Sequence, residues 1–299
     1  MTRIRFADVT FPAANAPREY EVAARLRRFL TNYRIRTGSS ENTHLLSDRD
    51  RDRIDRHAQA FLLARDRKSG MGHLDKRDRE KLSALRLGAE LRGIQSEHEA
   101  DVVASVIHQE MPWMAAATER VWQEMRASVR RGDPAPRLSP VLLLGPPGIG
   151  KSHWARLLAE QLRVPTCMVD ATNEPASFSI VGSQRGWSST GPGRPLQTIL
   201  ATSVANPIVV IDEVEKAGSA EGQSGTSYSL SQALLPLLER STATSWTCPY
   251  FRVQFDMSWV NWVLTANTLG GLPRPFLSRV PPLEMPALSL EHLLGFAER

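Results

Sequence analysis

An α/β fold, with a parallel sheet flanked by helices and an α-helical N-terminal region ahead of it, is the class this sequence predicts, on three observations. Short apolar runs at 141–144, 166–170, 207–213 and 259–264 alternate with helical patterns, the order a parallel sheet requires. The first run leads straight into the glycine-rich stretch Gly145-Pro146-Pro147-Gly148-Ile149-Gly150-Lys151-Ser152, with a helical pattern from His153 to Leu162 behind it. Residues 1–95, by contrast, carry their apolar residues mainly at helical spacing.

In that front region Tyr20, Ala23, Leu26, Leu30 and Tyr33 mark a first helix, with Pro17 just inside its start. A second begins with Ser47 as N-cap, carries Ile54, Ala58, Phe61 and Leu62, and ends before Gly70. A third is expected from about Asp75 through Leu82, Leu85 and Leu91, with polar breaks at 37–43 and 69–72. Two more apolar stripes follow, Val102, Val103, Val106 and Ile107, then Val121, Trp122, Met125 and Val129, with Pro112 between them. Trp113 and Trp122 read as helix-to-sheet packing. The stretch 131–136 then breaks the helix and delivers the chain to the strand at Val141. The expected domains are 1–95, helical and charged, 96–287, the α/β core, and a short terminal piece at 288–299.

At 299 residues and 41% hydrophobic composition the chain can bury a core of ordinary size. No apolar run reaches the ~18 residues needed to cross a bilayer, so no membrane partner is expected. Residues 1–8 lack the apolar stretch of a signal peptide. Cys167 and Cys248 form no metal-type pair and point to a reduced, cytoplasmic setting. The net charge of +5 is uneven: residues 1–138 carry 26 Lys+Arg against 20 Asp+Glu, and residues 139–299 carry 11 against 12. Along 48–53 and 75–80 the basic residues alternate with acids, the pattern of a solvated helix face, with a polyanion-binding surface as the alternative.

The stretch 145–152 fits the pattern G-x-x-x-x-G-K-[ST] in the strand-then-helix context that the pattern needs. Glycines let successive N–H groups face inward, Lys151 supplies a point charge for β and γ phosphates, and Ser152 offers a hydroxyl to Mg²⁺. The positive end of the following helix adds to anion binding. In Pro207-Ile-Val-Val-Ile-Asp-Glu213 a buried strand ends in two carboxylates. Downstream of a phosphate loop, Asp212 is placed to hold Mg²⁺ and Glu213 to polarise an attacking water. Asn267, after the run 259–264, is positioned to bond that water or the γ-phosphate, or else merely starts a turn. Arg274 and Arg279 lie in a short helical stretch, where an arginine can serve a neighbouring subunit's γ-phosphate or make a surface ion pair.

These segments together resemble the AAA+ ATPases, P-loop NTPases, and among them the ATPase module of Lon proteases. The resemblance rests on GPPGIGKS at 145–152, IVVIDEVEK at 208–216, ALLPLLE at 233–239, YFRVQFD at 250–256, VLTANTLGGLP at 263–273 and RPFLSRV at 274–280. It implies Walker A at Gly145–Ser152, Walker B at Asp212 and Glu213, sensor 1 at Asn267, and the arginine finger at Arg279, since the family's LLDR pattern falls on Phe276-Leu-Ser-Arg279. It further implies ATP and Mg²⁺ as ligands and a homo-oligomeric ring. The segment 182–193 is similar to the Lon segment carrying the central-pore loop, which puts Trp187 where an aromatic residue grips a threaded polypeptide, with Ser188 in place of the family's aliphatic residue. Residues 288–299 look like the first helix of a helical lid, expected to be truncated, and no Lon-type protease domain is expected.

The function expected is Mg-dependent ATP hydrolysis that drives remodelling of a protein substrate. Two alternatives stand beside it. One is a nucleotide-binding regulatory module with little turnover, and the other a nucleic-acid-associated ATPase using the basic front half.

Overall fold

The computed structural model describes residues 2–13, 15–37, 46–172, 176–184, 191–217, 220–221, 227–290 and 292. The chain divides into two compact units, one formed by residues 8–83, the other by the first seven residues together with the chain from 84 onward.

In the smaller unit α1 (Glu19–Arg36) and α2 (Asp48–Lys68) pair, followed by the short α3 (Lys76–Ser83). Ser47 caps α2 as expected: its hydroxyl accepts from Asp50 N–H, and the Asp50 carboxylate accepts from Ser47 N–H at 3.0 Å. The N-cap of α1 is Arg18, whose N–H donates to Glu21, so Pro17 stands outside the helix rather than within it. Ala23, Ile54 and Ala58 are buried between α1 and α2, with Leu26 and Leu30 half-buried against them. Tyr20, Tyr33 and Phe61, expected in the same stripes, are exposed. A seam between two helices is narrow, and only residues facing the partner helix leave water. The alternating charges have a use in this unit: Arg34 pairs with Asp50 at 2.9 Å and Arg27 with Asp55 at 3.2 Å, joining α1 to α2.

The third expected helix stops early. Residues through Leu91 do not continue α3, because β2 (Ala89–Leu91) is a strand paired antiparallel with β1 (Thr2–Ile4). Gly88 makes the turn into it at φ +80°, where a Cβ would collide with Ile4 O. On its other side Glu90 N–H donates to Ser203 O at 2.7 Å and Ala205 N–H to Glu90 O at 2.8 Å, so these backbone groups are satisfied by chain more than a hundred residues away.

The core of the larger unit comprises α4 (Glu97–Glu110), α5 (Ala115–Arg130), β3 (Val141–Leu144), α6 (Lys151–Gln161), β4 (Thr166–Asp170), α7 (Ala176–Val181), α8 (Arg194–Thr202) and β5 (Ile208–Asp212). There follow the paired β6 (Ala220–Glu221) and β7 (Ser227–Tyr228), α9 (Leu230–Leu238), α10 (Arg240–Ala243), and the hairpin of β8 (Trp246–Thr247) and β9 (Gln254–Phe255). Last come β10 (Asn261–Ala266), α11 (Arg274–Arg279) and β11 (Pro282–Glu284). Five strands form one parallel sheet in the order β11-β3-β10-β5-β4. Residues 208–211 and 142–143 are fully buried, as befits strands covered on both faces. Despite Pro281 and Pro282, β11 forms. It lies at the sheet edge, where the missing N–H of Pro282 is tolerated.

On α4 the buried stripe is Ala100, Val103 and Ile107, while Val102, expected in it, is 48% exposed. These residues pack with Val121 and Met125 of α5 and with Trp154, Leu157 and Leu158 of α6 in one core. The expected strand at 259–264 begins only at Asn261, since 257–259 form a 3₁₀ turn. In the hairpin, Phe255 bridges to Ala7 and packs on Phe6 at 5.7 Å between ring centroids, which ties the chain start to this unit.

Cys167 and Cys248 are free, buried thiols. Burial pushes both up, Cys248 to about 11. In native protein at about pH 8 both should therefore resist iodoacetamide, and denaturant should open two sites. The fold holds protons that the unfolded chain releases, so this contribution is complete below the ordinary thiol range and is lost as pH rises toward 11. Urea melts at about pH 8 and about pH 10 check the sign.

Candidate nucleotide site

At the carboxyl end of β3 the loop 145–150 turns the chain into α6. Gly150 stands at φ +90°, left-handed backbone, and a Cβ there would lie 2.7 Å from Met111 Cε. Two contacts hold the loop from outside. Gly145 N–H donates to Ala266 O at 3.2 Å, and the buried Trp113 indole donates to Ile149 O at 2.8 Å. Trp113 thus does more than fill the core, since its N–H sets the height of the loop. With the loop fixed, the first N–H groups of α6 point back into it, making a local positive pole suited to an anion.

Lys151 begins α6 and is buried. Its three N–H donors go to Gly145 O at 2.7 Å, Pro146 O at 3.0 Å and Asn267 Oδ1 at 2.9 Å. Burial lowers its pKa from the usual ammonium range, while the carboxylates of Asp212, Glu215 and Glu213 act in the opposite sense. Ser152 Oγ donates to Asp212 Oδ2 at 2.9 Å. The other Asp212 oxygen accepts a short hydrogen bond from Thr265 Oγ1, and that hydroxyl in turn accepts Glu213 N–H at 3.1 Å.

Glu213 follows β5 in left-handed backbone, φ +53°, an uncommon conformation for a non-glycine residue. Its carboxylate takes Lys216 Nζ at 2.9 Å and Asn267 Nδ2 at 3.0 Å. The bond to Lys216 holds this carboxyl below its usual range, with Asn267 helping and desolvation opposing. Asn267 accordingly bridges the loop lysine to the second acid, one side-chain amide serving both.

The residues fit a polyphosphate and a divalent cation. Lys151 offers the charge, and the loop and first helical turn offer N–H groups. Ser152 and Asp212 bring two hard oxygen donors to within hydrogen-bond distance of each other, the donor type Mg²⁺ selects. Glu213 is a charged acceptor held between two donors, suitable for taking a proton from water.

Of the residues expected in the site, the structure brings together Gly145 through Ser152, Asp212, Glu213 and Asn267. Arg279 is not among them: it closes α11 and donates to Pro275 O and to Glu239 Oε2, each at 3.3 Å. Arg274 is exposed at the start of the same helix. Trp187 lies outside the described residues, though the neck of its segment is closed by the bridge between Gly182 and Pro192. Sequence reasoning missed Thr265 and Lys216. A threonine within the apolar run 262–266 is a readable signal for the first; the second becomes visible only once the turn after β5 is seen.

A model of the ATPase family associated with various cellular activities (AAA) matches residues 141–284. Over this segment, just under half of the chain, the sequence is similar to that family. Curated relatives of the chain are Lon proteases. Peroxisomal Lon protease homolog 2 of Oryza sativa subsp. indica is 31% identical over 170 residues, covering 57% of this chain and 19% of the relative. The Arabidopsis thaliana homolog is 29% identical over 205 residues, 68% and 22%. Lon protease of Chlamydia muridarum is 31% identical over 159 residues, 53% and 19%. The chain spans about a fifth of the length of these relatives.

Thr265 joins Asp212, at the end of β5, and Glu213, just after it, to β10. Replacing it with Val should leave an Asp212 oxygen and Glu213 N–H without partners and destabilise the fold by about 1–3 kcal/mol. Chemical denaturation of Thr265→Val measures this, and a change below about 0.5 kcal/mol would mean the hydroxyl is not bonded as described.

Proposed function

We propose that this chain binds ATP with Mg²⁺ in the cradle of Gly145–Ser152 and hydrolyses it. The observation that carries the reading is the convergence of Lys151, Ser152, Asp212, Glu213 and Asn267 on one hydrogen-bonded cluster at the carboxyl edge of the sheet. Lys151 exchanges its loop carbonyls for phosphate oxygens. Ser152 and Asp212 hold the cation, whose chemistry is to neutralise charge on the phosphates. Glu213 accepts the proton of the attacking water, and Asn267 orients that water against the lysine.

The working assembly in this reading is a homo-oligomeric ring in which Arg279 reaches a neighbour's γ-phosphate. Its exposed position at the end of α11, where its ion pair among the described residues is with another exposed residue, Glu239, supports a role between subunits. The work done is remodelling of a protein, gripped through the segment containing Trp187, by analogy with the Lon relatives. We place the protein in the cytoplasm, in keeping with its free buried cysteines. Among the described residues no helix is long and apolar enough to cross a membrane. In this reading the helical region expected over 1–95 is the unit of residues 8–83, the core expected over 96–287 also takes in 84–95 and the first seven residues, and a lid starts from 288. Proteolysis is not part of the proposed activity.

Two results test the reading. Lys151→Ala should lose ATP binding, whereas Glu213→Gln should keep ATP and lose phosphate release by at least about 100-fold. Failure of the wild-type chain to bind Mg-ATP sinks the whole reading; binding without release leaves a regulatory nucleotide module. Mixing Arg279→Ala with Lys151→Ala chains should restore part of the turnover that each lacks, because wild-type sites then face wild-type arginines across some interfaces. A dead mixture would mean that Arg279 acts within its own chain or not at all.

A further inference from the structure

Glu215 is an acid at the edge of the cluster to which the mechanism above gives no work, and it bonds directly to Asn267. It lies in the 3₁₀ turn 214–216 after β5, and its Oε1 accepts Asn267 N–H at 3.0 Å. Its Oε2 is buried without a hydrogen-bond partner among the described residues. A buried carboxylate oxygen left unpaired is a cost that folds seldom keep without a use. Asn267 stands just past the end of β10, beyond the support of the sheet ladder. Its side chain has two separate duties, toward Lys151 at 2.9 Å and Glu213 at 3.0 Å. Those bonds direct the amide only if the backbone beneath it is held, and the Glu215 carboxylate is the group that holds it. The same residue borders a cavity of about 270 Å³ under α11, together with Ser229, Leu230, Gly271 and Phe276. The helix that ends in Arg279 therefore lines the same cavity as the anchor of Asn267.

We propose that Glu215 is a positioning residue for ATP hydrolysis: by anchoring the Asn267 backbone it sets the amide that links Lys151 to Glu213. The proposal rests on the ATPase reading above. It requires an acceptor at position 215 more than a charge, so a glutamine, which keeps a carbonyl oxygen within reach of Asn267 N–H, should largely substitute.

The experiment compares full-length wild type, Glu215→Ala and Glu215→Gln by Mg-ATP affinity, phosphate release and amide hydrogen exchange at Asn267. Expected for Glu215→Ala are a fall in kcat of at least about tenfold with ATP affinity changed less than about threefold, and faster exchange at Asn267. Glu215→Gln should recover most of the kcat and most of the exchange protection. Wild-type kcat in Glu215→Ala overturns the proposal. So does an equal loss of affinity and turnover, which marks general damage to the site, and so does failure of glutamine to rescue. If the wild-type chain releases no phosphate, the ATPase reading fails first. Exchange at Asn267, which needs no turnover, then reports by itself whether Glu215 anchors that backbone.

Discussion

Three parallel strands must end at the same level for the cluster to exist, because its members come from the carboxyl ends of β3, β5 and β10 or from the turns just after them. β10 lies between β3 and β5, with Ala266 opposite Leu144 and Leu264 opposite Ile211. That register puts Thr265 beside Asp212, and Asn267 between the loop that follows β3 and the turn that follows β5. A slip of one residue along β10 would send Thr265 to the other face of the sheet and break the bonds to Asp212 and Glu213 together. Register here is enforced by burial, since residues 261–266 are buried along the whole strand.

The cluster also satisfies itself. Lys151 uses every donor, Asp212 receives two hydroxyls, and Asn267 is bonded through both its oxygen and its nitrogen. An ammonium buried among fewer acceptors would be costly to keep charged. The acids of the β5 tip offset that cost by favouring its charge. A phosphate chain can enter such a site by exchange, one set of oxygen acceptors replacing another around Lys151, with little rebuilding of the backbone.

Outside the cluster, distant segments are joined by single polar contacts of the same kind. Asn206 accepts Arg92 N–H and returns a bond to Arg92 O, and Asn261 accepts Leu138 N–H. Both asparagines are buried and both lie near the amino ends of strands, opposite the nucleotide edge. They fasten the connections into the sheet while the carboxyl ends remain free for chemistry, as open α/β sheets arrange it.

Much of this was legible in the residue order. The cradle is eight consecutive residues, Gly145 to Ser152, and its bends, its charge and its hydroxyl follow from local torsion and chemistry. An apolar strand ending in Asp212 and Glu213 is equally local, and Ser47 announced its own helix start. Tertiary structure alone decided that residues 89–91 leave the helical pattern, because their partners are Thr2–Ile4 and the chain at 203–205. It decided too that Tyr20, Tyr33 and Phe61 stay in water, and that Glu215 and Lys216 bond to Asn267 and Glu213. The physical reason is one of range. Backbone bends and capping bonds act within a few residues and leave a mark in their order, whereas strand pairing and burial depend on which distant surfaces can exclude water together.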